Sequence, residues 1–347
     1  MIFFSAAAPR RDSVENGAAR MRKCAPRGKK QRGVALIIAL ILVALAAILA
    51  SKLTFDGFLE RRRTIGVLAA EQALHFGMGA EALAADVLAQ DFQSSGSMTT
   101  LAAPWAQPTQ PLPITPEEDA EGEPIGTLQG ELEDMQGRFN LNSLGRLKTD
   151  GKQDPQPLEQ FQRLLVLVGL EVKWAGLARD WIDADDTPGN PDGAEDQVYT
   201  SQTPPYRTGN WPMMSPTELM NLPGFGAERY RKIAPYVTAL PDANLKINVC
   251  TASSPVLESL AENLRTEYPP ELLASARKTG CFPDLNTFRK VVGAQYLPAI
   301  NNLLDQKSQY FRLTTRVTLG TTEFTLYSLL WRNGSKVTPL LRSFGTS

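Results

Sequence analysis

The sequence predicts an α+β protein with a long N-terminal helix that begins as a membrane span. Val34 to Ser51 carries no charged residue, and apolar residues then recur at helical spacing to about Phe92. A block of mostly helical pattern follows over about 156–306. Period-two alternation dominates only after Tyr310. The order is long helix, strand, helical block, strands, so the economical architecture is a sheet domain carrying a large inserted helical domain.

The apolar run is 18 residues long, near the lower limit of ~17–25 for crossing a bilayer. A secretory signal peptide would have a shorter apolar core and a small-residue cleavage site. Here the pattern continues through Ala73, Phe76, Ala80, Leu83 and Val87, and no proline lies between Pro26 and Pro104. A helix over 34–93 would extend roughly 90 Å at ~1.5 Å per residue. Only its first part, 34–51, is membrane-like.

Net charge is −1, but it is unevenly distributed. Residues 1–33 hold nine Lys/Arg and two acids, leaving 27 basic and 35 acidic residues in the remainder. The basic cluster before the span is expected to stay in the cytoplasm, which puts the C-terminal body outside. An ordinary signal-anchor protein shares that topology. The acidic body argues against non-specific nucleic-acid binding. Residues 1–20 hold both acids and a polar run, so translation starts at either Met1 or Met21.

Residues 94–124 contain six prolines and an acidic run from Glu117 to Glu123, and read as a linker. Ile125–Asp134 reads as a strand and Gly137–Leu144 (GRFNLNSL) as an ordered turn. Leu158, Phe161, Leu164, Leu165 and Val168 share one helical face. Near the C-terminus, Phe311, Leu313, Thr315, Val317 and Leu319 alternate with Arg312, Thr314, Arg316 and Thr318. Gly320-Thr321-Thr322 turns the chain into Phe324–Trp331. Asn333-Gly334 signals a hairpin before Lys336–Arg342.

The densest chemical signal is Asp180–Asp196, which has seven carboxylates and no Lys or Arg. Crowded carboxylates repel unless a cation neutralises them. Hard oxygen ligands in a flexible loop favour Ca²⁺ over Mg²⁺. The loop does not follow the EF-hand pattern, because Pro188 and Ala194 stand where that pattern requires Gly and Glu. The alternative is a solvated acidic surface. Cys24 lies in the basic leader. Without it, Cys250 and Cys281 remain, either as a disulfide or as buried thiols.

Ser215-Pro216-Thr217-Glu218 has the form of a capping box, and Pro223-Gly224-Phe225-Gly226 that of a tight hairpin between helices. Together they look like a helix-hairpin-helix unit with Arg229, Arg231 and Lys232 nearby. Such a unit either binds DNA phosphates or packs two helices. Enzyme signatures are missing: His75, on the long helix, is the only histidine, and no phosphate-binding loop or zinc spacing occurs. A carboxylate-only, metal-dependent hydrolase stays open as a distant reading, but no nucleophile-base pair supports it, so the sequence does not read as an enzyme.

A basic leader ending in Gly33, directly before an apolar helix, resembles the processing site of type IV prepilins and pseudopilins. The blocks GRFNLNSL, RDWIDADD, GAEDQVY, PPYRTGNWPMMSPTELMNLPGF, INVCTASSPVLESL and YFRLTTRVTLG resemble, in order, the minor pseudopilin K family of type II secretion. The resemblance implies a pilin-like α/β sheet domain (94–143 and 307–347), an inserted helical domain (144–306) and a leader (1–33). It implies that a prepilin peptidase cleaves the leader after Gly33 and that the new N-terminal Val34 is methylated. It also implies a single inner-membrane pass, a periplasmic body, and a place with minor pseudopilins I and J at the pseudopilus tip. There the subunit is expected to meet secreted substrate or the secretin. Calcium is implied at Asp183, Asp185, Glu195 and Asp196, with Asp186 and Asp192 as weaker candidates. Ile38 replaces the Glu usual at mature position five, a departure that resembles a subunit with none ahead of it. Cys250 also departs from the family's usual Asn. The rival reading is a membrane-tethered helix-hairpin-helix DNA-binding protein.

Overall fold

The computed structural model describes residues 32–94, 98–115, 122–262, 264 and 268–345. Residues 1–31 of the expected leader, and most of the acidic run after Pro116, lie outside them. The chain divides into two units between Arg63 and Thr64. The first unit holds the opening part of α1 (Arg32–Ser94), which begins with Gly33 and Val34 already in its first turn. Its apolar side chains are exposed from Val34 onward, and α1 is long and apolar enough to cross a membrane.

The second unit contains a five-stranded antiparallel sheet. It is built from β1 (Leu112–Ile114), β2 (Gly126–Asp134), β7 (Tyr310–Leu319), β8 (Thr322–Asn333) and β9 (Lys336–Gly345), in that spatial order. The alternation seen in the sequence fixes its faces. Phe311, Leu313, Thr315, Val317 and Leu319 are buried, while the intervening residues are partly exposed. Ala84 and Leu88 of α1 pack with Phe311, Leu313 and Leu330, and Gly77 lets the helix close on Leu326. The proline-rich stretch is more than a linker. It supplies β1, where Pro113 is tolerated because the strand is a sheet edge. It also buries Trp105 edge-on against Phe311, 5.3 Å between ring centres.

Between β2 and β7 lies the helical insert, which is built on two apolar clusters. The first joins β3 (Phe139–Asn140), α2 (Pro155–Leu167), α3 (Trp174–Ile182), α4 (Asp196–Tyr199), α5 (Gly226–Ile233) and β4 (Val237–Thr238). Phe139 stacks on Phe161 within it, 5.1 Å apart. The second joins β5 (Ile247–Asn248), α6 (Ser254–Ser259), α7 (Pro270–Ala276), α8 (Leu285–Val292), α9 (Leu297–Ile300) and β6 (Leu304–Asp305). Tyr236 packs against both. Two short parallel ladders, β3 with β4 and β5 with β6, draw each cluster's ends together.

The turn Gly137–Leu144 owes its form to two buried asparagines. Asn142 Nδ2 donates to Met213 O and Leu240 O, both at 2.9 Å, and its Oδ1 accepts from Met213 N at 2.7 Å. Asn140 Oδ1 accepts from Leu240 N at 2.9 Å, and its Nδ2 donates to Asp242 O. Their amides stand in for backbone partners where the chain runs through the interior without a ladder. The capping box at Ser215 and Glu218 is present, but it starts a 3-10 helix, Pro216–Asn221, rather than an α-helix. Gly224 and Gly226 then take positive φ (82° and 69°), which an L side chain adopts with difficulty, and the chain turns into α5.

Candidate metal centre

The acidic loop leaves the C-terminal end of α3 and returns at the start of α4. Asp180, fully buried on α3, is its organiser. Asp180 Oδ2 accepts from Gly189 N at 2.8 Å, and Oδ1 lies 3.4 Å from Arg179 Nη2. Gly193 N donates to Gly189 O at 2.8 Å, closing the loop on itself. A Cβ on Gly189 or Gly193 would run into the Asp180 carboxylate, so glycine is required at both positions.

This fold gathers Asp183, Asp185 and Glu195, each offering one oxygen within 4.8 Å of the others. Asp183 Oδ2 accepts from Gln153 Nε2 at 2.9 Å, and Asp185 Oδ1 accepts from Thr187 N at 2.8 Å. Glu195 is 3% exposed, and among the described residues neither of its carboxylate oxygens has a hydrogen-bond partner. Asp183 Oδ1 is buried in the same condition. A buried carboxylate without a donor is strongly unfavourable, and a cation is the ordinary remedy. Oxygens this close can share one ion with metal–oxygen distances of ~2.4 Å. The residues therefore fit a hard divalent cation.

Two of the other three candidates are turned to different partners, and the third is exposed. Asp186 Oδ1 accepts from Asn210 Nδ2 at 3.1 Å. Asp196 Oδ1 accepts from Thr208 N and Oγ1, at 3.1 and 3.0 Å, and its Oδ2 lies 3.4 Å from Arg207 Nη1. Asp192 is exposed at φ 67°. Asp186 and Asp196 thus tie the segment 207–210 to the loop. Sequence reading did not anticipate Gln153, Thr208 or Asn210 here, because nothing in their local context marks them. Asn210 also keeps a buried Oδ1 that no donor meets.

Burial, followed by the charges of Asp180, Asp183, Asp185 and Asp186, pushes Glu195 up to about 7. Burial likewise leads the causes that hold Asp183 at about 6, with Asp180 and Asp185 adding to it against the Gln153 hydrogen bond.

Away from this loop, the structure pairs Cys250 with Cys281, their Cα atoms 4.6 Å apart. Buried Arg277 bridges the same two segments, with Nη2 to Val249 O at 2.8 Å and Nε to Phe282 O at 2.7 Å. At the hairpin, Arg229 Nη1 donates to Gly224 O and Phe225 O, and the guanidinium lies 5.3 Å over the Trp174 ring. That guanidinium is engaged by its own hairpin.

Comparison with known proteins places this geometry in context. Residues 137–242 match the family model described as type II secretion system protein K. Type II secretion system protein K of Aeromonas hydrophila is 31% identical over 91% of this chain and 98% of its own length. The Pseudomonas aeruginosa protein of that name is 34% identical over 91% and 93% respectively. A chain in the crystal structure of the GspK-GspI-GspJ complex from enterotoxigenic Escherichia coli covers 82% of this chain. It is itself covered completely, with TM-score 0.70 and 25% identity.

The metal-free site has a pH signature. A carboxyl whose folded pKa exceeds its unfolded value favours folding below the unfolded pKa and loses that contribution as pH rises through the folded one. For Glu195 the window runs from about 4.5 to about 7. Glu195→Gln is therefore expected to stabilise the metal-free chain by roughly 2–3 kcal/mol at pH 8 and to leave it unchanged at pH 4. Thermal melts in chelator at the two pH values check this.

Proposed function

The chain belongs to the type II secretion system protein K family, and we propose that it acts there as the minor pseudopilin at the pseudopilus tip, a structural subunit and not an enzyme. The observation that carries this reading is one of order. An apolar helix abuts Gly33 and leads into an antiparallel sheet interrupted by a helical insert, and the agreement with the complexed chain covers most of the molecule. The domain scheme that follows is a leader 1–33, an N-terminal helix 34–93, a pilin-like sheet domain made of β1, β2 and β7 to β9, and an insert between β2 and β7.

Before assembly, residues 34–51 hold the subunit in the inner membrane with its body in the periplasm. Prepilin peptidase removes the leader and Val34 is methylated. The apolar helix then exchanges lipid for the helices of minor pseudopilins I and J. Ile38 supports a leading position, because no subunit ahead presents an ammonium for a carboxylate to meet. The insert would block stacking above it and face secreted substrate or the secretin. Within the insert, the helix-hairpin-helix-like unit serves packing: the engagement of Arg229 with Gly224, Phe225 and Trp174 favours that role over phosphate binding.

The metal we assign to Asp183, Asp185 and Glu195 is calcium. Binding would supply the charge centre that these carboxylates lack, while Asp180 holds the loop and Asp186 and Asp196 tie down its neighbour. The oxidised Cys250–Cys281 pair suits the periplasm. Closing a loop of this length contributes roughly 3–4 kcal/mol by chain entropy.

Two measurements test this function. When co-expressed with minor pseudopilins I and J and a prepilin peptidase, the chain is expected to co-purify with both. The mass of its N-terminus should correspond to methylated Val34, and Gly33→Leu should leave the leader in place. A mature N-terminus within residues 51–60, or no association with I and J, would contradict the reading. For the metal, millimolar calcium should raise the melting temperature over chelator at constant ionic strength. Asp185→Ala and Glu195→Ala should abolish the increase, whereas identical curves would reduce the loop to a solvated acidic surface.

A further inference from the structure

The sheet face turned away from α1 borders a groove of about 730 Å³ facing the insert. Its floor crosses three strands in one row. Arg312 of β7 pairs with Leu329 of β8, and Leu329 pairs with Leu341 of β9. Tyr327 lies beside that row, and Met214, Pro216 and Tyr230 of the insert form the opposite wall. The groove opens at β9, the edge strand of the sheet.

Two features give the groove a chemistry. The first is charge. Its lining holds the guanidiniums of Arg138 and Arg312 and no carboxylate. Both arginines lean on one acid outside the lining, Glu133, with Arg138 on Oε1 and Arg312 Nη2 on Oε2 at 2.6 Å. Two cations sharing one anion leave a positive charge uncompensated. The second is the rim. Edge strands are usually guarded by lysine, proline or a bulge, and β9 has Lys336, Pro339 and a register shift at Leu329/Leu330 in its first half. Beyond Leu340, where that shift falls, no lysine, proline or bulge remains, and Leu341, on the groove face, is 44% exposed. Arg342, on this stretch, is turned to the other face and pairs with Glu81.

We propose that this groove receives a short extended polypeptide segment from a partner chain, with apolar side chains followed by a carboxylate. The segment enters over β9, lays its apolar residues on Leu341 and Leu329, and sets the carboxylate against Arg312. The dimensions agree: two strand spacings of about 4.8 Å separate β9 from β7, a distance that about three extended residues span. The apolar floor would provide contact area and the single uncompensated cation would set direction, in keeping with charge as a determinant of register. Neither the metal loop nor the apolar helix takes part in this site.

The test is selection from random seven-residue peptides, displayed with a free C-terminus, against the full chain in detergent. Enriched peptides are expected to carry two or more apolar residues next to an Asp, a Glu or the terminal carboxylate. Amidating the terminus of each enriched peptide separates a terminal from a side-chain carboxylate. Binding should fall at least tenfold with Arg312→Ala and with Leu341→Asp. The second variant changes an exposed edge residue, so it reports on the groove even if the first perturbs the fold. Arg342→Gln, on the opposite face, should leave binding unchanged. No enrichment, enrichment without an acid, or equal binding by parent and by Leu341→Asp would overturn the proposal.

Discussion

The second unit is built around a buried polar knot at the point where the helical insert leaves the sheet and returns to it. Asp134, the last residue of β2, accepts from Gln136 N, Asn248 Nδ2, Thr251 Oγ1 and Ser308 Oγ at 2.6–2.9 Å. Asn248 also donates to Thr99 O. From the other side, Arg332 of β8 reaches Asp91 of α1 at 3.1 Å, Thr99 Oγ1 at 2.7 Å and Ser308 O at 3.0 Å. Helix, linker, two sheet strands and insert meet within one network. Burial pushes the Asp134 and Asp91 carboxyls up and the Arg332 guanidinium down, so every group in it is held against a desolvation penalty. Such a network stabilises only when complete, which makes it a specifier of one arrangement more than a source of net stability.

The metal centre follows the same physics with a different solution. At the knot, neutral donors and one arginine satisfy the carboxylates. At the acidic loop, Glu195 and Asp183 keep buried oxygens that no protein donor meets. The two sites lie in the same unit and differ in their donors: the protein meets the carboxylates in one case, and in the other it gathers three that could hold a metal ion.

Much of the fold was legible because its signals are local. The period-two run from Tyr310, the Asn333-Gly334 hairpin and the unbroken helical spacing to Phe92 each report on neighbouring residues, and the strands and α1 follow them closely. The capping box at Ser215 was legible as well, though not the 3-10 form of the helix it starts. What stayed hidden depends on distant partners. β1 is a strand only because β2 pairs with it. The division of the insert into two clusters, and the roles of Asn140, Asn142 and Asn248, rest on contacts about 70 to 150 residues away in sequence. In the site, composition pointed to the loop in which three carboxylates converge. It did not separate Asp183, Asp185 and Glu195, which converge, from Asp186 and Asp196, which hold the adjoining segment.

One buried network binds the end of α1, the sheet and the insert of the second unit into a single folded body. Hydrogen–deuterium exchange of the full chain, parent against Arg332→Met, tests it most directly, because the substitution keeps an unbranched apolar stem and removes every donor. The account predicts that protection falls together at the end of α1, at Thr99, in β5 and the residues after it, and around Ser308, while the loop at 180–196 is unchanged. Loss of protection confined to β8 and its ladder neighbours would contradict it.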